Sequence, residues 1–175
     1  MMRLTKQYAV ALLTSIPDEN AVGIYHDLVR VADVFGNIPE YVSMVDFNPE
    51  DFSIIREILE EEYEPIIVNF LEVLAQDGML SRLNTIIEDY RLALVEENLL
   101  YDVKVSSATP LESSAREHIE QLIENRWGSA YLINYKVDKQ ILGGIRLEVN
   151  GAVIDTTFRS RIDQIIREVQ HGSKR

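Results

Sequence analysis

A chain of 175 residues, 46% apolar and 26% charged, has room for one ordinary domain or two small ones and lacks the composition of a disordered protein. Its net charge of −12 argues against a nucleic-acid partner, because such binding needs Lys and Arg to neutralise phosphates. The absence of cysteine removes disulfides, a thiolate nucleophile and cysteine metal sites, and no apolar run approaches the roughly 20 residues that span a bilayer.

The charge is uneven. Residues 1–104 hold 7 Lys and Arg against 20 Asp and Glu, whereas residues 105–175 hold 10 against 9. That break suggests two modules with different neighbours, although an acidic surface serving only solubility reads the same way.

The opening stretch "MMRLTKQYAV" leads straight into a helical pattern and has the form of neither a secretory leader nor an organellar transit peptide. Within it "YAVALL", Tyr8 to Leu13, is apolar on every side of a helix. Such a helix either runs through the centre of a bundle or leaves one side for another protein. Ala21, Ile24, Tyr25, Leu28, Ala32 and Phe35 then recur at spacings of three and four, the buried stripe of a second helix. Ile38, Tyr41, Val42 and Val45 mark a shorter third helix, and Asn48-Pro49 starts a fourth with Phe52, Ile55, Ile58 and Leu59 inward. Pro65 opens a fifth, with Ile67, Phe70, Leu71 and Leu74, which Gly78 ends. Leu83, Ile86, Ile87, Tyr90 and Leu94 form a sixth.

From Tyr101 the period becomes two. Tyr101, Val103 and Val105 alternate with polar residues, and so do Tyr131, Ile133, Tyr135 and Val137. Between these runs Leu111 to Trp127 is helical, with Ala115, Ile119, Leu122, Ile123 and Trp127 on one face. Ile145, Leu147 and Val149 precede Asn150-Gly151, a strong hairpin signal because a type I′ turn needs positive φ at both central residues, and Val153 and Ile154 follow it. A last helix is expected to carry Phe158, Ile162, Ile165, Ile166 and Val169. The expected fold is α+β: an N-terminal six-helix bundle over residues 1–104 and a small C-terminal α/β domain with a β-hairpin over 105–175, the boundary lying near 100–106.

No active site assembles. Gly143-Gly144 precedes a strand, whereas a phosphate cradle needs a glycine loop that opens a helix. His26, His118 and His171 stand at no metal-ligand spacing, and "EILEEEYE" reads as a solvated helix end. Asp155-Thr156-Thr157 is placed to cap the last helix rather than to act as a catalytic acid. No catalytic residue, metal or cofactor is therefore expected, and an adaptor with a spare apolar helix side fits the residues.

Leu142-Gly143-Gly144-Ile145, Leu147 to Gly151, Val153-Ile154-Asp155 and Arg159 together resemble the C-terminal signature of the F-type ATP synthase delta subunit family, whose mitochondrial counterpart is the oligomycin-sensitivity-conferring protein. The likeness continues backwards through "VKVSSATPL" (Val103 to Leu111), "NFLEVLAQDGMLSRL" (Asn69 to Leu83) and "YAVAL" (Tyr8 to Leu12), and so covers nearly the whole chain in order. Thr157 for serine, Ser160 for glycine and Met79-Leu80 for Arg-Leu depart from the family pattern.

The resemblance implies a non-catalytic stator subunit that joins the catalytic head to the peripheral stalk during proton-driven ATP synthesis. It implies an alpha-subunit N-terminal helix seated between the first and fifth helices, on Tyr8, Ala11, Leu12, Asn69 and Val73 with Tyr25 flanking. It also implies stalk b subunits on the C-terminal module, with Phe158 and Ile162 as candidates and core packing as their competing reading. The implied location is the cytoplasmic face of a bacterial plasma membrane, reached only through the complex. The competing functions are a small-ligand enzyme using Gly143-Gly144 and Asp155, and a helical adaptor unrelated to ATP synthase.

Overall fold

A computed structural model of the chain describes residues 3–155. The last helix expected from the sequence, with Phe158, Ile162 and the Asp155-Thr156-Thr157 cap, lies outside the described side chains. The chain divides into two compact units between Leu99 and Leu100. That break precedes the 104/105 boundary expected from the sequence, because Tyr101 to Lys104 already pair with the strand that begins at Tyr131.

The first unit contains α1 (Leu4–Thr14), α2 (Asp18–Gly36), α3 (Pro39–Phe47), α4 (Ser53–Glu62), α5 (Pro65–Gln76) and α6 (Leu83–Glu96). This is the helix-first arrangement that the periodicity predicts. Three of the helices, α2, α3 and α5, begin beside a proline, whose fixed φ suits a first turn and whose missing N–H leaves no helical bond unmade. Asn48-Pro49 differs from expectation: a 3₁₀ turn over Pro49–Phe52 comes first, and α4 follows it. Asn48 donates from Nδ2 to Asp51 Oδ2 and does not cap the helix backbone.

The core of this unit is built around α6. Leu83, Ile86, Ile87, Tyr90, Ala93 and Leu94 are all buried, and the Tyr90 hydroxyl reaches across to donate to the carbonyl of Ala21 on α2 at 3.0 Å. Ala21, Ile24, Leu28, Val31, Ala32 and Phe35 of α2 and Ile67, Val68, Phe70, Leu71, Leu74 and Ala75 of α5 supply further buried side chains. Each large one contributes about 2 kcal/mol by leaving water.

Ile58, expected inside, is 62% exposed. Helical spacing identifies an apolar residue's angle around the axis but not whether a neighbour covers that angle, and α4 buries only Leu59.

In the second unit β1 (Tyr101–Ser107), β2 (Tyr131–Val137), β3 (Ile145–Val149) and β4 (Ala152–Asp155) form one mixed sheet in the order β2-β1-β3-β4. β1 and β2 are parallel, joined through α7 (Ser113–Trp127), while β1 with β3 and β3 with β4 are antiparallel. Because strand side chains alternate faces, one face gathers Val103, Val105 and Val149, and α7 closes it with Ile119 and Ile123. Leu122, expected on that stripe, lies at its margin and is 55% exposed.

The hairpin turn has φ of 47° at Asn150 and 80° at Gly151, the pair of positive values that a type I′ turn requires. A Cβ at Gly151 would meet nothing within 4 Å, so a substitution there is opposed by backbone conformation alone. Gly151→Ala should therefore lower the stability of this unit by about 1 kcal/mol, read as a shift in its denaturant midpoint at constant slope.

Candidate functional site

The helix that the sequence leaves with too much apolar surface, α1, buries only Ala9 and Leu12 completely. It does not run through the centre of the bundle; that place belongs to α6. Arg3 and Lys6 at its start form ion pairs with Asp89 and Glu96 of α6, at 3.2 Å each. The Lys6–Glu96 pair is exposed and holds little, whereas the Asp89 carboxylate is only 3% exposed, so Arg3 adds to the attachment that the packing of Ala9 and Leu12 provides.

The other side of α1 stays open. It forms one wall of a cleft of about 270 Å³, with Tyr8, Ala11, Leu12 and Ser15 facing Ile66, Asn69, Phe70 and Val73 of α5. Residues 8, 11, 12 and 15 are one i, i+3, i+4, i+7 stripe, and residues 66, 69, 70 and 73 are another. Each wall is therefore two helical turns long, about 10 Å. No charged side chain lines the cleft.

Polar chemistry enters at one end. The Tyr8 hydroxyl donates to Asp77 Oδ2 at 2.6 Å, joining α1 to the residue that follows α5. That hydrogen bond, helped by burial and by the Asp77 charge, pushes the Tyr8 phenol up from 10.0 to about 12. The phenol is thus a firmly held donor at neutral pH. Asp77 is placed by the way α5 stops: Gly78 takes φ of 63°, and Gly78 and Met79 donate backward to the carbonyls of Ala75 and Leu74. At the opposite end Thr14 and Ser15 donate their hydroxyls to the carbonyls of Val10, Ala11 and Leu12 in the final turns of α1.

Five of the six residues singled out for a partner helix, Tyr8, Ala11, Leu12, Asn69 and Val73, thus meet around this cleft. Tyr25 does not line it; its ring stands edge-on to His26 at 5.3 Å between centroids. The spacing of Tyr25 on α2 marked it as apolar-facing, and a helix wheel does not say which neighbour it faces. Ile66, Phe70 and Ser15 complete the lining, and their stripe positions were the signal available for them.

Two wider clefts of the first unit carry charge: one of about 440 Å³ is lined with Glu50, Arg56 and Glu72, and one of about 400 Å³ with Asp18, Glu96 and Glu97. Two smaller ones, of about 240 and 170 Å³, are mostly apolar, and neither is walled by α1. An open, uncharged trough smaller than the range of small-ligand pockets suits a row of side chains from a helix better than a metabolite.

The glycine pair has no catalytic setting. Gly143-Gly144 leads into β3 and not into a helix N-terminus, and Gly144 has φ of 85°. Among the described residues no group of His, Asp and Glu is arranged to hold a metal ion, and no helix is long and apolar enough to cross a membrane.

Comparison with known proteins gives a consistent result. A family model described as "ATP synthase delta (OSCP) subunit" matches residues 4–169. An ATP synthase subunit delta of Lacticaseibacillus casei is 27% identical over 164 residues, covering 91% of each chain. One of Clostridium kluyveri is 24% identical over 178 residues, covering 98% of each. A chain in the Toxoplasma gondii mitochondrial ATP synthase hexamer shares the fold, with a TM-score of 0.56 at 18% identity over 97% of this chain and 98% of that one. These matches set aside the small-ligand enzyme and the unrelated adaptor. The chain belongs to the ATP synthase delta (OSCP) subunit family, a non-catalytic stator component of F-type ATP synthase.

Proposed function

We propose that the cleft between α1 and α5 seats the N-terminal amphipathic helix of the ATP synthase alpha subunit, and that the second unit meets the b subunits of the peripheral stalk. The observation that carries the first half is the uncharged trough itself, open along its length and bounded by Tyr8, Ala11 and Leu12 on one side and Asn69, Phe70 and Val73 on the other. An amphipathic helix laid there buries its apolar stripe and leaves its polar face over a strongly acidic unit, which favours a basic partner. Phe158 and Ile162 remain the candidates for the stalk side and lie outside the described residues.

The task is mechanical. Torque from the rotor turns the catalytic head unless something fixed holds it, and a tether needs a slow off-rate and no reactive group. Nanomolar affinity corresponds to about 12 kcal/mol, within reach of one well-packed helix with a few rim contacts. The place of work is the cytoplasmic face of a bacterial plasma membrane, with the membrane reached through the rest of the complex.

Tyr8→Asp removes the largest ring of the cleft and puts a carboxylate against apolar side chains. Calorimetric titration with a synthetic alpha N-terminal helix should show affinity lower by about 30-fold, while circular dichroism shows an intact bundle. Unchanged affinity in a folded variant would remove the cleft from the binding site.

A further inference from the structure

The hairpin tip carries a reactive pair of residues as well as a turn. The β1–β3 register ends where Val103 meets Val149, and Asn150 then leaves the strand with φ of 47°. Its amide donates to the Asp102 carbonyl at 2.9 Å. The Asp102 amide returns a bond of 2.8 Å to the Asn150 side chain, at Oδ1. A side-chain amide thus takes the place of a main-chain carbonyl and clasps the turn to β1.

This is the one Asn-Gly pair in the chain. Asparagine before glycine is the pair most open to loss of its side-chain amide, because no Cβ shields the nitrogen that follows. Gly151 is exposed, and a Cβ there would meet nothing within 4 Å, so water reaches the pair freely. Conformation is what opposes the reaction. The Gly151 nitrogen attacks Asn150 Cγ only from the same side of the Cα–C bond as Cβ. A type I′ turn sets ψ of its first central residue at about +30°, which holds that nitrogen nearly opposite Cβ. The Asp102 bond also ties Oδ1, and with it Cγ, to β1.

We propose that Asn150-Gly151 is a modification site that the fold keeps shut: it closes to a succinimide and ends as isoaspartate when the hairpin leaves β1. The Gly151 nitrogen gives its proton to solvent base and bonds to Asn150 Cγ; the Cγ–Nδ2 bond breaks, and Nδ2 takes protons from water and leaves as ammonia. Water then opens the ring at one carbonyl or the other, giving aspartate or isoaspartate. The isoaspartate product routes the main chain through Cβ and lengthens a two-residue loop by one atom. That loop sets the pairing of Val149 with Ala152 and of every pair behind it in β3 and β4. A single opening of the hairpin can therefore become permanent. The proposal rests on the fold of the second unit alone, whichever partners the chain meets.

The test incubates the full chain at mildly alkaline pH, with and without denaturing guanidinium chloride, and follows the tryptic peptide 147–159 by mass spectrometry with isoaspartate separated by chromatography. Ammonia loss from Asn150 should run about 30-fold or more slower in the folded chain, because only the open form reacts. Below the unfolding transition its rate should rise with denaturant in step with hydrogen exchange at the Asp102 amide, the donor of the clasp. Equal rates in folded and unfolded chains, or a rate that ignores Asp102 exchange, would overturn the gate. A denatured chain that yields neither aspartate nor isoaspartate at position 150 would overturn the site itself. Returned to native buffer, the isoaspartate form should leave the β4 amides unprotected, whereas Asn150→Asp, which adds charge but no main-chain atom, keeps them protected. Full β4 protection in the isoaspartate form would overturn the loss of register.

Discussion

Ala11→Trp is expected to abolish binding of the alpha N-terminal helix, with a loss of about 100-fold or more, while leaving the chain folded. Ala11 is exposed on α1 and lines the cleft, so an indole there meets no core atom but occupies the trough from within. The cost to the helix is the difference in propensity, about 0.5 kcal/mol, which a bundle with this core tolerates. The loss in binding comes from excluded volume: a partner helix cannot bring its side chains between Leu12 and Asn69 once the ring is there. Calorimetry of the full chain with the alpha peptide measures it, and circular dichroism checks the fold. Retained affinity in the folded variant would mean that the partner lies on another surface.

The second large effect separates the two faces of α5. Leu71 is fully buried, and Leu71→Ala should destabilise the first unit by about 3 kcal/mol, through lost burial and the cavity left behind. For a unit of this size that lowers its melting temperature by upwards of about 10 °C. Val73 is two positions further on, is 45% exposed and lines the cleft. Val73→Ala should change stability by less than about 1 kcal/mol and weaken the alpha peptide about fivefold. Thermal melts of both variants beside peptide titrations give the comparison. If the two variants lose equal stability, Val73 belongs to the core and the wall assignment fails.

The helices were legible because an amphipathic stripe is a local property, written at spacings of three and four, and the same holds for strand alternation. The hairpin was legible for a similar reason: Asn150-Gly151 reports on its own backbone. What was not legible depends on distant neighbours. The strand order β2-β1-β3-β4 places β1 between β2 and β3, and nothing within β1 announces that it is central. Ile58 and Leu122 carry the right residue type at almost the right angle, yet no element covers them.

The site divides along the same line. The surplus of apolar surface on "YAVALL" showed that α1 has a side to spare, and the family resemblance named α5 as its partner across the cleft. The bond between Tyr8 and Asp77 joins residues 69 positions apart and left no local trace, since Asp77 reads as an ordinary polar residue before a helix-ending glycine. Tyr25 failed to join the cleft because two helices with equally good stripes can face different neighbours.

The central claim is that α1 and α5 together present a binding trough to one helix. Its most direct test is a titration of the isotope-labelled full chain with the unlabelled alpha N-terminal helix, followed by amide chemical shifts. The account predicts that the largest changes fall on Tyr8, Ala11, Ser15, Ile66, Asn69 and Val73 and saturate together. Shifts concentrated on α3, α4 or the sheet, with those six unmoved, would contradict it.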